Sequence, residues 1–405
     1  MNFETVKIAD LISEIAMGPF GSNIKVECFV DEGIPVLNGS NLNGYALNED
    51  SFRYVTEEKA DSLGRANAHR GDVVITHRGT LGQIVFIPKD SLHERYVISQ
   101  SQFRVKCNER ILPEYLVYYF HTRIGQHKLL SNASQVGVPA LARASTTFQT
   151  IEIDIPDMES QKKIVDLLET IRSKVEVNSE INENLAQQIE TILLAFLNGS
   201  GTTSVKLGDY LYIKGRIGWK GLKKSEYLSQ SGYRIINGES LTKSGIDWSK
   251  AGYISEERYV ESPEIMLKVG DILLSKDGTI GKIGYIDNLE LPTSVASGIF
   301  VIRNTKPDII STTFIYYLLK SRLFTSFIAA RTEGSVIPHL YQKDFMEFEF
   351  PLPTSDKMAE FEEITGPLFS RIVNNLNENK RLSLLRDSLL PKLMSGELDV
   401  SNLDL

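Results

Sequence analysis

GDVVITHRGTLGQIVFI occupies residues 71–87, and GDILLSKDGTIGKIGYI occupies residues 270–286, 199 positions further on. The same spacing lays Val6-Lys7 on Val205-Lys206, Asp10 on Asp209, VLNGSNL from Val36 on IINGESL from Ile235, and YVTEE from Tyr54 on YISEE from Tyr253. It also lays Val138-Pro139 on Ile337-Pro338. Past small gaps the spacing becomes 197, where Phe148 meets Phe345, Pro156 meets Pro353 and Gly199 meets Gly396. Solenoid repeats recur every 20–50 residues or so. A repeat this long instead means that the chain is one unit written twice, a mixed domain and a helix followed by a diverged second copy of both.

Residues 1–155 and 205–353 carry the mixed pattern. Short β-rich runs (Val73 to Ile75, Ile84 to Ile87, Ile272 to Leu274, Ile299 to Ile302) alternate with Gly, Asn and Pro turn signals. Each domain also holds one aromatic helix-like run, EYLVYYF at 114–120 and FIYYLL at 314–319, best read as core packing. The expected class is α+β: two pseudo-symmetric mixed domains joined by two long antiparallel coiled-coil helices. Within the repeated motif, a strand enters a turn at Thr76-His77-Arg78-Gly79-Thr80 and at Ser275-Lys276-Asp277-Gly278-Thr279. The glycines there supply positive φ or close backbone approach. The residues between them are either presented to a partner or decorate an ordinary hairpin. GTIGK from Gly278 is no phosphate loop, since Lys276 and Ile283 stand where that motif requires Gly and Ser or Thr.

Residues 156–200 and 354–398 read as long helices. Ile164, Leu168, Ile171, Val175, Asn178, Asn182, Leu185, Ile189, Ile192 and Phe196 alternate at spacings of four and three, a heptad seam. Phe361, Leu368, Ile372, Asn375, Asn379, Leu382, Leu389 and Leu393 follow the same register, interrupted at Thr365 and Arg386. Pro391 falls inside the second pattern, which predicts a kink or a fresh start in its last turn. Gly199 and Gly396 sit where C′ glycines stop helices. Some 40 residues at ~1.5 Å each make a rod of about 60 Å. Asn178 and Asn182 match Asn375 and Asn379, and a twofold relation between the copies brings the four together to fix the register of the coil. The alternative is four asparagines on a solvated face.

The 405 residues, 42 % hydrophobic and 24 % charged, exclude a disordered or collagen-like chain. Cys28 and Cys107 are too few for a disulfide framework or a four-thiolate zinc site, and a reducing, cytoplasmic setting is expected. The start MNFETVKIAD has no secretory pattern, and no apolar run approaches a membrane span. The net charge of −8 argues against a simple basic nucleic-acid binder. It is unevenly spread, however. Residues 1–155 carry net −3, 156–204 net −4, 205–353 net +2 and 354–405 net −3. Lys214, Arg216, Lys220, Lys223 and Lys224, interleaved with Tyr212 and Trp219, form the clearest basic run. Such a run suits phosphate contact, with a solvated loop as the alternative. Catalytic signatures are missing: no G-x-G-x-x-G after a strand, no G-x-S-x-G, no H-E-x-x-H, and no Asn/Asp-Pro-Pro-aromatic methyltransferase motif.

Two mixed domains, each followed by a near-copy of one long helix, with the paired GD…GT-x-G elements and SQKKIVDLLETIRSKV from Ser160, closely resemble the specificity subunit of type I restriction–modification systems. The resemblance covers essentially the whole chain. It implies target-recognition domains that each read one half of a split, asymmetric duplex DNA site. It also implies helices that space those domains and dock two methyltransferase subunits, with restriction and translocase subunits joining through the complex. S-adenosylmethionine and ATP with magnesium are then expected on those partners, with no cofactor, metal or catalytic residue on this chain. Thr76, His77, Arg78 and Thr80 become the reading loop of domain one. Ser275, Lys276 and Thr279, with Lys214, Arg216, Lys220 and Lys223, become that of domain two. Helix faces outside the seam (Leu167, Ile181, Leu194, Ile364, Leu376, Leu385) are left for partners. Two other readings remain: a methyltransferase–nuclease half acting alone, and a scaffold or inhibitor of the same architecture without sequence readout.

Overall fold

In the computed structural model, the described residues are 1–134, 138–217, 221–243, 245–332 and 339–401. The chain divides into two compact units, Met1–Glu176 with Asn379–Leu405, and Val177–Glu378. Each combines one mixed domain with part of both long helices.

The mixed domain of the first unit is built on a four-stranded antiparallel sheet in the order Ile12–Met17, Gln102–Cys107, Asp72–Thr76, Ile84–Phe86. The second unit repeats that order with Leu211–Gly215, Ile299–Asn304, Ile272–Ser275 and Ile283–Tyr285. The central strand is apolar at consecutive positions because both its faces are covered. Side chains alternate across a strand, so Val73 and Ile75 enter one core while Val74 enters another. Ile272 and Leu274 against Leu273 do the same in the second unit.

One face of each sheet packs under the aromatic helix, Pro113–His121 or Thr312–Lys320. Tyr115, Tyr118 and Phe120 in the first, and Phe314 and Tyr317 in the second, are buried in the core. The other face packs on a second sheet. That sheet has five strands in the first unit, with Ile34–Val36 between Arg53–Val55 and Arg95–Val97, and three in the second, with Tyr233–Ile236 between Gly252–Ile254 and Thr293–Val295.

A terminal strand pair closes each domain. Phe3–Lys7 pairs with Glu152–Pro156, and Thr203–Lys206 pairs with Glu349–Leu352. Each domain therefore begins and ends at one place, where a long helix starts. Helix Met158–Leu197 is capped by Asp157, whose carboxylate accepts the Ser160 N–H at 2.9 Å and the Ser160 hydroxyl at 2.9 Å. Gln161 Oε1 accepts the Leu112 N–H at 3.0 Å, and Tyr118 donates its hydroxyl to Glu169 at 2.6 Å. These bonds tie the aromatic helix to the long one.

Helix Ser355–Met394 is unbroken across Pro391, contrary to the kink or restart expected there, and across Pro367, which the sequence reading passed over. Both prolines lie on the exposed side, and the residues four places earlier, Glu363 and Asp387, are exposed as well. The lost backbone bonds fall where water can replace them, while buried Phe361, Phe369, Leu390 and Leu393 hold the opposite side in the core. Gly396 has φ +74, as a C′ glycine should, whereas after the first helix the positive φ belongs to Gly201, at +83, and not to Gly199.

The helices pair antiparallel within each unit. In the second unit Asn375 donates to Asn182 Oδ1 at 2.8 Å, Asn182 Nδ2 stands 3.4 Å from the Ile372 carbonyl, and Asn178 donates to Glu378 at 2.7 Å. Asn178, Asn182 and Asn375 are buried. In the first unit, half-buried Asn379 donates to the Val175 carbonyl at 3.2 Å. Thr365, which interrupts the apolar pattern, is buried and returns its hydroxyl to the Phe361 carbonyl at 2.8 Å. No helix among the described residues is long and apolar enough to cross a membrane.

Candidate nucleic-acid interface

The repeated motif forms a tight hairpin on each domain, and its glycines explain its wording. Gly71 and Gly270 (φ +86 and +92) turn the chain into the strand. Gly79 and Gly278 (φ +90 and +66), with Gly82 and Gly281 (φ +87 and +91), shape the loop beyond it. Side chains with a Cβ rarely take these backbone conformations. The aspartate of each GD pair faces inward. Asp72 meets Arg104 at 3.2 Å, and Asp271 meets Arg303 twice at 2.7 Å. Burial pushes the Asp72 carboxyl above its ordinary range, against the pull of the His69 N–H and Arg104.

Each hairpin is stitched to a second loop. The Leu141 N–H donates to the His77 carbonyl at 2.8 Å, and the Leu340 N–H donates to the Lys276 carbonyl at 2.9 Å. Arg78 bridges Ala140, and Asp277 bridges His339. That pairing accounts for the recurrence of the two later loops at matching positions, although residues 135–137 and 333–338 lie outside the described set.

The expected contact residues divide by exposure. Arg78 and Thr80 on domain one, and Lys214, Lys223 and Thr279 on domain two, are exposed and free to meet a partner. Three others are corrected. Thr76 is buried and donates its hydroxyl to Gln83 Oε1 at 3.1 Å. Ser275 is buried, donating to the Thr279 carbonyl at 2.7 Å and accepting the Lys282 N–H at 2.9 Å. Both hydroxyls close hairpins and are not turned outward. Arg216 is only 3 % exposed, and its guanidinium reaches the Val295 carbonyl at 3.1 Å and the Ser262 and Ser294 hydroxyls at 3.3 Å. An arginine consumed by interior acceptors has no reach to a phosphate. Two more are half-buried. Burial holds His77 below its ordinary pKa, and its Nε2 stands 3.1 Å from the Gln100 carbonyl. The Lys276 ammonium lies 5.1 Å over the Phe300 ring. Lys220 and its neighbour Trp219 lie outside the described residues.

The structure also gathers residues that the sequence reading passed over. The turn after strand Ile12–Met17 and the loop Ser99–Ser101 lie beside the domain-one hairpin. The Gly18 N–H donates to the Gln102 carbonyl at 2.8 Å, and the His77 N–H to the Ser101 carbonyl at 2.8 Å. Phe20, Arg53 and Gln100 are exposed around a concavity of about 370 Å³ there. The only hint in the sequence is Gly18-Pro19-Phe20-Gly21, an aromatic ring set among turn-forming residues. No group of His, Cys, Asp and Glu that could hold a metal ion occurs among the described residues.

On the helices, Leu194, Ile364, Leu376 and Leu385 are exposed, as are Val177 and Leu384. Leu167 instead packs on the domain-one core, and Ile181 is half-buried.

These features have clear relatives. Residues 2–187 and 200–382 each match the type I restriction modification DNA specificity domain. The chain is 23 % identical to the type I restriction enzyme MjaIX specificity subunit of Methanocaldococcus jannaschii, over 99 % of this chain and 95 % of that one. It is 21 % identical to the HindI specificity subunit of Haemophilus influenzae, over 88 % and 93 %. The crystal structure of the type I restriction-modification S subunit from M. genitalium has the same fold, with a TM-score of 0.57 and 18 % identity over 97 % of this chain and 96 % of that one. With the domain matched twice over most of its length, the chain belongs to the type I restriction modification DNA specificity family.

Proposed function

We propose that this chain is the non-catalytic specificity subunit of a type I restriction–modification assembly, each mixed domain reading one half of an asymmetric, bipartite site in double-stranded DNA. The observation that carries this is one sheet order used twice with different chemistry at equivalent loop positions. His77 and Arg78 on domain one stand where Lys276 and Asp277 stand on domain two. Matching scaffolds present both loops in the same way, and unlike side chains ask for unlike half-sites.

The long helices set the unspecified gap between half-sites. Their exposed leucines and isoleucines dock two methyltransferase subunits, and restriction and translocase subunits join through that complex. S-adenosylmethionine belongs to the methyltransferase subunits and ATP with magnesium to the translocase. This chain contributes recognition and spacing, and its acidic helical segments keep non-specific attraction to DNA low. Alone it should bind DNA weakly, gaining affinity from its partners.

The test is co-expression with a methyltransferase subunit of the same family of systems, followed by methylation sequencing of the host genome. A motif of two different half-sites separated by a fixed unspecified gap is expected. Methylation without sequence preference would overturn the assignment in favour of a scaffold.

A further inference from the structure

The turn Gly18-Pro19-Phe20-Gly21 is held rigidly. A Cβ on Gly18 would stand 1.9 Å from the Ser99 carbonyl oxygen, and one on Gly21 would stand 2.3 Å from Gln100 Oε1. The Ser99 carbonyl is backbone and cannot give way, so position 18 requires glycine, whereas the Gln100 carboxamide near Gly21 is the far end of a flexible side chain. Pro19 restricts its own φ, and the Asn23 N–H closes on the Phe20 carbonyl at 2.8 Å. Yet Phe20 is 84 % exposed, more than any other large apolar side chain described. A ring kept in water by a stiff turn is prepared for a contact, since little freedom is left to lose on binding.

Its surroundings indicate which contact. Phe29 and Val36 line the adjoining concavity on its apolar side, and Asn38, Arg53 and Gln100 supply its polar groups. The Arg53 guanidinium stands 5.2 Å over the Phe29 ring. The Gln100 side chain makes no hydrogen bond among the described residues, while its carbonyl faces His77 in the reading hairpin. A projecting ring, an uncommitted carboxamide and the exposed cations Arg53 and Arg78 together fit double-stranded DNA. Apolar side chains pack on thymine methyls or wedge into base steps, carboxamides pair with adenine edges, and guanidinium groups meet phosphates.

Among the described residues, domain two differs at two of these positions, while Gly218 and Trp219, where its counterpart of Phe20 falls, lie outside them. Sheet register pairs Met17 with Phe103 and Gly215 with Phe300, which puts Arg216 where domain one has Gly18. The carbonyls of Ser101 and Gly298 accept equivalent N–H groups, which puts Ser297 where domain one has Gln100.

We propose that Phe20 and Gln100 are the base-reading pair of domain one, the ring packing against a base or base step and the carboxamide hydrogen-bonding a neighbouring base edge. This rests on the reading of the chain as a DNA specificity subunit. The experiment uses the complex with its methyltransferase subunits and duplexes in which every position of both half-sites is varied. Phe20→Ala should weaken binding to the cognate duplex roughly ten- to hundredfold, with Phe20→Leu between it and wild type. Gln100→Ala should reduce discrimination about tenfold at one or two adjacent positions of one half-site, leaving the other half-site and the gap unchanged. Melting temperatures should be unaltered, since both side chains are exposed. Wild-type affinity and discrimination in both alanine variants would overturn the pair while leaving the specificity reading intact. A wild-type complex with no sequence preference would overturn both.

Discussion

Lys214 and Arg216 are two residues apart in one basic run, and the structure gives them opposite fates. Lys214 is exposed on strand Leu211–Gly215, whereas Arg216 is sunk among Val295, Ser262 and Ser294. Lys214→Ala should leave the melting temperature of the chain unchanged, weaken DNA binding by the full complex, and lower the slope of log affinity against log salt by about one. Arg216→Ala should leave buried acceptors without their donor. A cost of about 2–4 kcal/mol in chemical denaturation is expected. An Arg216→Ala chain as stable as wild type, with a reduced salt slope, would restore that residue to the interface. Sequence alone could not separate the two, because acceptors such as Ser262 and Ser294 lie dozens of residues away. The glycines were legible for the converse reason: positive φ is a local demand, and Gly79 and Gly278 meet it whatever surrounds them. Phe20 was illegible because an aromatic residue in a turn usually folds back onto the core, and the close approach of Gly18 to the Ser99 carbonyl that shapes its turn comes from a residue some eighty positions away.

The long helices were the most legible elements, since a heptad pattern needs no distant information. Their ends and interruptions were less so. Two prolines are tolerated because the exposed side can lose a backbone bond to water, and Thr365 sits in the seam because its hydroxyl finds the Phe361 carbonyl. Asn182 and Asn375 raise a sharper question, since a buried amide pair costs more than leucine unless both members are satisfied. Their 2.8 Å bond fixes which residues face each other. Asn375→Leu alone should cost about 1–3 kcal/mol by leaving the Asn182 oxygen without its donor. Replacing both with leucine should recover most of that loss, a coupling of about 0.5–3 kcal/mol in a double-mutant cycle. Additive effects of the two substitutions would mean that the amides do not act as a pair.

For the whole molecule, repetition makes the two domains interchangeable in principle, because each is closed by the same strand pairing. Lys7 faces Glu152 in the first, and Lys206 faces Glu349 in the second. Cutting at those pairs leaves the helix starts and the paired strand ends in place, so residues 7–152 can replace 206–349 with matched junctions. If specificity resides in the loops and the helices only space and dock, such a chain should still assemble with its methyltransferase partners. It should then direct methylation to a motif in which the domain-one half-site occurs twice and the domain-two half-site is lost. Methylation sequencing of cells carrying the chimera reads this directly. Retention of the original second half-site would show that recognition lies outside residues 206–349. Loss of all methylation despite an assembled complex would show that the domains are not equivalent modules. The net −8 constrains the same experiment, since the exchange replaces the near-neutral second domain with the more acidic first. If exposed Lys214 and Lys223 meet phosphates, the chimera, which no longer carries them, should bind its duplex with a shallower salt dependence than wild type.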